Sequence, residues 1–221
     1  MRDLKQHEQL ELEVLKLLSD HGFLNALVFG GGTCLRLCFG LDRYSIDLDF
    51  WQRNVIPKNY FKRMGAVLGG IYALTDFHEK HFSYLAELKS PNYPRKIKLE
   101  IRKMSQLKKN SPETELGIAF SPFSMWQVRL NTFTLKQMWK NKVDALLERK
   151  EIRDAYDLEF IYKKGAADLT GLSMSERTAM LSILDSFKPI DFKVTLGSLL
   201  EFKERDYYTT NGFKILKQAL V

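Results

Sequence analysis

The sequence predicts a mixed α/β fold of the α+β kind, in which helices flank a mixed β-sheet core and a helical region follows. Alternating apolar and polar runs, typical of strands, lie in the first part of the chain. Apolar residues at helical spacing open the chain and fill its second part. We therefore predict a core domain over residues 1–132 and a helical domain over residues 133–221 that packs against the core and completes its site.

The first predicted elements follow from local patterns. Residues 3–20 place leucine and valine at helical spacing, which predicts an amphipathic helix. Residues 25–29 form a short apolar run that glycine stops, as in a buried strand. Thr33 is the expected cap of a second helix, which Gly40 closes. Residues 46–50 alternate between apolar and acidic side chains, which predicts a second strand.

The middle of the chain reads as one helix and three further strands. Residues 56–74 begin with Ile-Pro and carry a packed side at helical spacing. Residues 82–88 and 95–101 alternate, and turn-forming residues separate them, which predicts a hairpin. Residues 125–130 are the expected last strand of the core.

The second part is predicted to be helical from about Thr134 to the end of the chain. Residues 173–176, Ser-Met-Ser-Glu, match the capping-box pattern that starts a helix before an apolar run.

The composition is that of an ordinary folded protein. Hydrophobic residues make up 45% and charged residues 28%, which excludes disordered, collagen-like and disulfide-stapled classes. An excess of 34 Lys+Arg over 27 Asp+Glu gives a net charge of +7, spread over many segments. This balance favours a polyanionic partner, either a nucleoside triphosphate or nucleic acid, although solubility alone also explains it. The two cysteines, Cys34 and Cys38, lack the further ligands of a zinc set and are expected to pack as small hydrophobic residues.

The N-terminus is charged from its second residue, and the chain has no apolar stretch of 18 residues. We therefore expect no signal peptide, no transmembrane span, no membrane partner and a cytoplasmic location.

Two carboxylates one residue apart are the most informative feature. Side chains two residues apart on a strand project from the same face, so Asp47 and Asp49 should point together. Two like charges at that separation repel strongly unless a cation neutralises them or one takes a proton. A divalent metal resolves this conflict, and oxygen ligands without nearby His or Cys indicate Mg²⁺ or Mn²⁺.

Three consecutive glycines, Gly30 to Gly32, fall between a predicted strand and a predicted helix. Backbone N–H groups and the helix dipole favour an anion at such a position. Taken alone, the glycines favour a tight turn over an anion site, and their spacing matches neither a Walker A loop nor a Rossmann fingerprint. With the acidic strand that follows, the pattern predicts a site for a metal-bound polyphosphate.

A third carboxylate commonly bridges metals or takes the proton of the nucleophile. The candidate is Glu100, which lies between apolar neighbours on a predicted strand, and Glu87 is a rival in a similar setting. Each also fits a solvent-facing position on its strand. The strand of Glu100 is notably basic, and its lysines and arginines suit guidance of an RNA backbone.

These motifs resemble those of the DNA polymerase β-like nucleotidyltransferase superfamily. The segment GGGTCLRLCFGLDRYSIDLDF is similar to the first motif of the AbiEii-type nucleotidyltransferase toxins, in which Gly-Gly-Thr-x-Leu-Arg leads to Arg-x-Ser-x-Asp-Leu-Asp-Phe. The segment KNKVDALLERKEIRDAYDLEFI resembles a downstream motif of the same family. The resemblance spans roughly residues 25–165, and no resemblance is found for the helices after residue 166.

The resemblance implies a nucleotidyltransferase that uses Mg²⁺ or Mn²⁺, with a site drawn from both motifs. It implies that Asp47 and Asp49 bind the metal, with Glu100 as the third carboxylate. It also implies that Gly31, Gly32 and Thr33 hold the triphosphate, that Arg43 and Ser45 belong to the substrate site, and that Lys142 reaches a nucleotide phosphate. In the downstream motif, it implies that Asp154 or Asp157 shapes or assists the catalytic site and that Arg149 and Arg153 belong to the substrate-binding residues.

An unbroken helix through the downstream motif would place Lys142, Arg149 and Arg153 on one face and make a cationic stripe suited to phosphates. A solvated basic face, with Arg153 and Asp157 paired one helical turn apart, is the alternative.

Three functions stay open at this point. The first is transfer of a nucleoside monophosphate to RNA, tRNA or a protein residue by a bacterial toxin with a cognate antitoxin, as in toxin–antitoxin and abortive-infection systems. The second is a binding module that binds nucleotide or RNA without catalysing a reaction. The third is modification of a small molecule, as in aminoglycoside nucleotidyltransferases.

Overall fold

The fold is taken from a computed structural model, which describes residues 1–103 and 112–221. The chain forms two compact units. Residues Met1–Gly40 and Tyr44–Phe133 make the first unit, and residues Leu41–Arg43 and Thr134–Val221 make the second. Residues Leu41–Arg43 therefore belong to the second unit, although the chain on both sides of them belongs to the first.

The first unit is built on a mixed β-sheet. Its seven strands within the described residues are ordered β3-β4-β5-β2-β1-β7-β6. The pairs β2/β5 and β1/β7 are parallel, and the other neighbours are antiparallel. This mixed sheet with flanking helices confirms the predicted fold class. The strands are β1 (Leu27–Gly30), β2 (Asp47–Gln52), β3 (Ala73–Glu79), β4 (Ser83–Lys89), β5 (Ile97–Arg102), β6 (Thr114–Phe120) and β7 (Gln127–Phe133).

Three helices cover one face of this sheet. They are α1 (Arg2–Asp20), α2 (Gly31–Phe39) and α3 (Tyr60–Gly69), with a 3-10 turn at Phe23–Ala26 before β1. The covered face carries the apolar core, in which Leu48, Phe50 and Leu99 are buried. Burial alternates along β2, so the acidic residues of this strand lie on the opposite face. The sheet thus has an apolar face, which the helices cover, and a polar face that carries the acidic residues.

The second unit is helical. A buried carboxylate links three of its helices, because Glu159 accepts hydrogen bonds from the Tyr208 hydroxyl at 2.9 Å and from the backbone N–H of Leu216 at 3.0 Å. None of the described helices in either unit is long and apolar enough to cross a bilayer. The helices of this unit are α4 (Leu135–Arg149), α5 (Ile152–Lys163), α6 (Met174–Ser186), α7 (Phe202–Asn211) and α8 (Lys214–Leu220), with irregular helical turns at Asp191–Leu199.

Several sequence predictions are confirmed. The first helix forms, the hairpin predicted from residues 82–88 and 95–101 forms as β4 and β5, and the Ser173 capping box is present. The strand expected at residues 125–130 forms as β7, shifted toward the C-terminus.

Two predictions are wrong, and the strand β6 is absent from the predictions. The helix expected over residues 56–74 ends at Gly69, and β3 begins at Ala73. The strand β6 was not predicted, because its exposed apolar residues give no two-sided pattern. Thr33 does not cap α2; Gly30 is the cap residue, and the Thr33 hydroxyl bonds elsewhere.

Candidate active site

The two acidic residues of β2 share one face of the sheet, as predicted. Asp47 and Asp49 are partly exposed, whereas the intervening Leu48 is completely buried. The parallel pairing with β5 places Lys98 beside Asp47 and Glu100 beside Asp49. Because residues in register on adjacent strands lie on the same face, three carboxylates and one lysine share this surface.

Lys98 lies between two of these carboxylates. Its Nζ is 3.6 Å from Asp47 Oδ2 and 3.8 Å from Glu100 Oε2. The Lys98, Asp47 and Glu100 side chains are 38%, 34% and 26% exposed, so solvent weakens the interactions. Lys98 nevertheless reduces the repulsion between the carboxylates. The sequence alone predicted a metal in this role.

The rival carboxylate, Glu87, has a different set of partners. Its Oε1 accepts hydrogen bonds from Lys96 at 2.7 Å and from the Thr75 hydroxyl at 2.5 Å. The hydrogen bond from Lys96, and after it the bond from Thr75, holds the pKa of Glu87 below its usual range. Glu87 is in register with Lys98, one strand further from Asp49 than Glu100. The sheet therefore brings Glu100, and not Glu87, next to the acidic pair.

Gly31 lies directly against Asp49 of the acidic pair. It begins α2 with a φ of +73°, a backbone conformation that glycine adopts without strain. A Cβ atom at this position would overlap the carboxylate of Asp49. A side chain on the preceding Gly30 would overlap the rings of Trp51 and Phe133. Both glycines are thus required by close packing, and the N-terminus of α2 begins beside Asp49.

Thr33 holds the backbone of the acidic strand. Its side chain is completely buried, and its hydroxyl donates a hydrogen bond of 2.6 Å to the carbonyl oxygen of Asp47. Ser45, which precedes the strand, is partly exposed. In this structure the Thr33 hydroxyl positions the start of β2.

A buried polar group beneath the site was missed from the sequence. It comprises His7, Glu8 and Glu11 of α1, all at most 3% exposed. His7 Nε2 lies 3.0 Å from the carbonyl oxygen of Ile46, and Arg36 Nε donates to Glu8 at 2.7 Å. The signal was available, because positions 7, 8 and 11 fall on the same helical face as the buried leucines of α1.

The ionisation of this group follows from its burial. Burial raises the pKa of Glu11 well above its ordinary value, and the nearby Glu8 raises it further. Burial also lowers the pKa of His7. Both side chains are therefore shifted toward their neutral forms in the folded protein.

Glu11→Gln is expected to change how stability depends on pH. Folded Glu11 keeps its proton to a higher pH than the 4.5 of its ordinary value, so folding loses stability as the pH rises toward the folded pKa. Glutamine cannot ionise, so the stability of the variant should lack this fall, and its advantage over the wild type should grow as the pH rises from about 4.5 to the folded pKa of Glu11. The free energy of unfolding in urea measures the difference. Exposed Glu148→Gln is the control, and equal pH profiles for Glu11→Gln and wild type would refute the burial argument.

The second unit holds its own buried ion network. Arg43 binds Asp157 through two hydrogen bonds of 2.6 Å, and both residues are buried. Lys142 Nζ lies 2.6 Å from Asp157 and 3.0 Å from Asp154. Arg149 completes the network with bonds of 2.9 Å to Asp154.

Electrostatics in this network keep Asp157 ionised. Burial alone would raise the pKa of Asp157, but Arg43 and then Lys142 hold it below its usual range. The same pairing raises the pKa of Arg43 against the opposing effect of burial. The charges are therefore satisfied by one another inside the helical unit.

The predicted cationic stripe is wrong, because the helix that it required is broken. α4 ends at Arg149, and Lys150 adopts a left-handed conformation with a φ of 54° before α5 begins. Lys142 is only 8% exposed and is paired with acids. Arg153 forms an ion pair with Glu151 at 2.6 Å. The alternative prediction, in which Arg153 pairs with Asp157, is therefore also wrong.

The acidic group offers a divalent metal part of its usual set of ligands. Within residues 1–103 and 112–221, no group of three or more His, Cys, Asp or Glu side chains is arranged to hold an ion. Mg²⁺, however, is commonly held by one or two carboxylates together with water and substrate phosphates. Asp47 and Asp49 fit that mode, in which the ion arrives with a nucleotide.

Comparison with known proteins identifies a family, and the similar solved structures include two from Helicobacter pylori. The family described as "Nucleotidyl transferase AbiEii toxin, Type IV TA system" matches residues 13–207. The crystal structure of JHP933 from Helicobacter pylori matches with a TM-score of 0.57 and 20% identity, covering 100% of this chain and 94% of that chain. A second H. pylori structure, described as that of a candidate nucleotidyltransferase, matches with a TM-score of 0.56 and 19% identity over 100% and 96% of the two chains. No curated protein matches.

Proposed function

The chain belongs to the AbiEii family of nucleotidyl transferase toxins of type IV toxin–antitoxin systems, and from it we propose that this protein transfers a nucleoside monophosphate from a nucleoside triphosphate to an acceptor hydroxyl. The observation that carries the proposal is the acidic face of the sheet, where Asp47, Asp49 and Glu100 lie together and Gly31 packs against Asp49.

Each part of this face has a proposed task. Asp47 and Asp49 would hold Mg²⁺ or Mn²⁺, which neutralises charge on the triphosphate and on the leaving pyrophosphate. The backbone at Gly31 and Gly32, at the positive end of α2, would receive phosphate oxygens. Because this segment is next to Asp49, phosphate bound there would lie close to the two metal-binding carboxylates.

Glu100 supplies the remaining chemical function. The acceptor oxygen forms a bond to the α-phosphorus, the bond from that phosphorus to the pyrophosphate oxygen breaks, and the acceptor proton passes to a base. Glu100, in register with Asp49, is proposed as that base. Lys98 stays within 4 Å of two carboxylates and limits their mutual repulsion before substrate binds.

The second unit is proposed to support the reaction by positioning. Lys142, Asp154 and Asp157 are buried and paired, so they fix the fold of the helical unit around Arg43. The side chains of Arg149 and Arg153 are 45% and 39% exposed. They are therefore proposed as the residues of the downstream motif that contact a substrate phosphate. We propose RNA, with tRNA as one case, as the acceptor, growth inhibition as the cellular outcome, and a cognate antitoxin in the cytoplasm.

A second candidate function is a nucleotide-binding module without chemistry. The position of Lys98, which partly neutralises Asp47 and Glu100 without a metal, is the observation that favours it. Metal-dependent nucleotide binding without release of pyrophosphate would identify such a module.

Asp49→Asn is expected to reduce nucleotidyl transfer at least about a hundredfold, because the variant loses one of two charged metal ligands. The assay incubates the full chain with each of four α-labelled nucleoside triphosphates and total tRNA, and separates the products on a gel. Exposed Asp206→Asn is the matched control and should leave transfer unchanged. Unchanged transfer by folded Asp49→Asn would refute the role of Asp49, and label on a small molecule without RNA would indicate the aminoglycoside-type activity instead.

A further inference from the structure

The acidic face continues into a group of cations and aromatic rings. Two residues after Asp49 on β2 comes Trp51, and two residues after Glu100 on β5 comes Arg102. These two residues are in register, and the guanidinium carbon of Arg102 lies 4.9 Å from the centre of the Trp51 ring. The pair therefore directly adjoins the carboxylates on the same face of the sheet.

Further cations extend this surface across the sheet. Trp51 packs edge-on against Phe133 of β7, with ring centres 5.0 Å apart. Arg53, just past the end of β2, donates a 2.8 Å hydrogen bond to Asn131 of β7. Arg129, also on β7, is exposed on the same face. We call Trp51, Arg53, Arg102 and Arg129 the basic strip.

Exposed apolar side chains border the basic strip on β6. Leu116, Ile118 and Phe120 alternate along this strand and are each 54% exposed. Ile118 is in register with Arg129, so the apolar row and the cation lie side by side. The bases of a nucleic acid stack on flat or apolar side chains that lie next to guanidinium groups.

The dimensions and the charge of this surface select the ligand. Three strand-to-strand steps separate β2 from β6, or about 14 Å at the usual strand spacing. On this face of β2, β5, β6 and β7, the described residues include cations, and the acids among them are Asp47, Asp49 and Glu100. The remaining acid of these strands, Glu115, projects from the other face. An extended polyanion with flat, apolar bases matches this surface.

We propose that the basic strip binds a single-stranded polynucleotide and delivers its end to Asp47, Asp49 and Glu100. This inference rests on the proposed function, because it names the surface that receives the acceptor. The cations contact the backbone phosphates, and Trp51 with the apolar row supports unpaired bases. The strip is therefore a docking surface for unpaired ends and does not depend on a particular base sequence.

The test uses the full chain and two fluorescently labelled 12-nucleotide probes, one RNA and one DNA, in anisotropy titrations. The double variant Arg53→Gln/Arg102→Gln is expected to bind the tighter probe at least about tenfold more weakly. Its affinity should also depend less steeply on salt, by about 0.7 in logarithmic slope for each lost contact. Arg129→Gln, which leaves Trp51 and its neighbours intact, should show a smaller loss of the same kind. Arg63→Gln removes an exposed cation from α3 on the other side of the sheet and should bind as the wild type does.

Three binding results would overturn the proposal, and one transfer result would do so as well. The binding results are a wild type that binds neither probe, a double variant that binds as tightly as Arg63→Gln, or self-association through the apolar row that excludes the probes. Binding of a fluorescent nucleoside triphosphate is measured on the same variants and should not change. Label transfer to a protein acceptor that is unaffected by the double variant overturns the strip and leaves nucleotidyl transfer intact. Strip-dependent probe binding without any label transfer supports the strip and refutes the proposed enzyme.

Discussion

Gly31→Ala is expected to reduce nucleotidyl transfer by about a hundredfold or more. The added Cβ atom would overlap the Asp49 carboxylate, so this side chain must move or α2 must shift away from β2. Displacement of a catalytic group by about 1 Å is sufficient for a loss of this size. The left-handed conformation of Gly31 adds a strain of about 1 kcal/mol for any other residue. Steady-state label transfer and urea unfolding together separate the two effects.

Gly40→Ala is the matched control for this prediction. Gly40 closes α2 with a φ of +79°, so alanine there suffers similar backbone strain. Nothing lies within 4 Å of its added Cβ atom, and the acidic face should not be disturbed. We expect a similar loss of stability and transfer within about twofold of wild type. Equal losses of transfer in the two variants would show that strain alone, and not contact with Asp49, explains the effect.

Asp157→Asn is expected to destabilise the helical unit by about 3–5 kcal/mol. The substitution preserves shape but leaves buried Arg43 and Lys142 without their shared counter-ion. Removal of one partner from a buried ion pair is costly because the remaining charge has no water to solvate it. The unfolding of the second unit, followed by hydrogen exchange of α5 amides in increasing urea, measures this loss.

Arg153→Gln is the control for the ion network. Arg153 and its partner Glu151 are both 39% exposed, so their interaction should contribute less than about 1 kcal/mol. A small effect of Asp157→Asn, similar to that of Arg153→Gln, would show that the buried network does not stabilise the unit. Asp157 would then be available for a direct role in the site.

The sequence predicted the fold class and the acidic face because both follow from local periodicity. Alternation along β2 is sufficient to place Asp47 and Asp49 on one side, whatever the rest of the chain does. The choice between Glu100 and Glu87 required the strand order, since only pairing of β5 with β2 places Glu100 beside Asp49. Strand order depends on long-range contacts that periodicity does not contain.

The downstream motif shows the opposite case. Helical periodicity predicted that Lys142, Arg149 and Arg153 share a face, and the left-handed Lys150 breaks that helix. A non-glycine residue with positive φ leaves no clear signal in sequence. The partners of Lys142 could not be predicted either, because Asp154 and Asp157 reach it only when α5 folds back along α4.

The acidic face can be examined by Mn²⁺ binding, followed by electron paramagnetic resonance with and without a non-hydrolysable nucleoside triphosphate. Since no three-ligand group is present among the described residues, we expect weak binding of Mn²⁺ alone and much tighter binding with the nucleotide. The double variant Asp47→Asn/Asp49→Asn should lose the nucleotide-dependent site. Tight Mn²⁺ binding that persists in this folded variant, or none in the wild type with nucleotide, would contradict a metal–nucleotide site at Asp47 and Asp49.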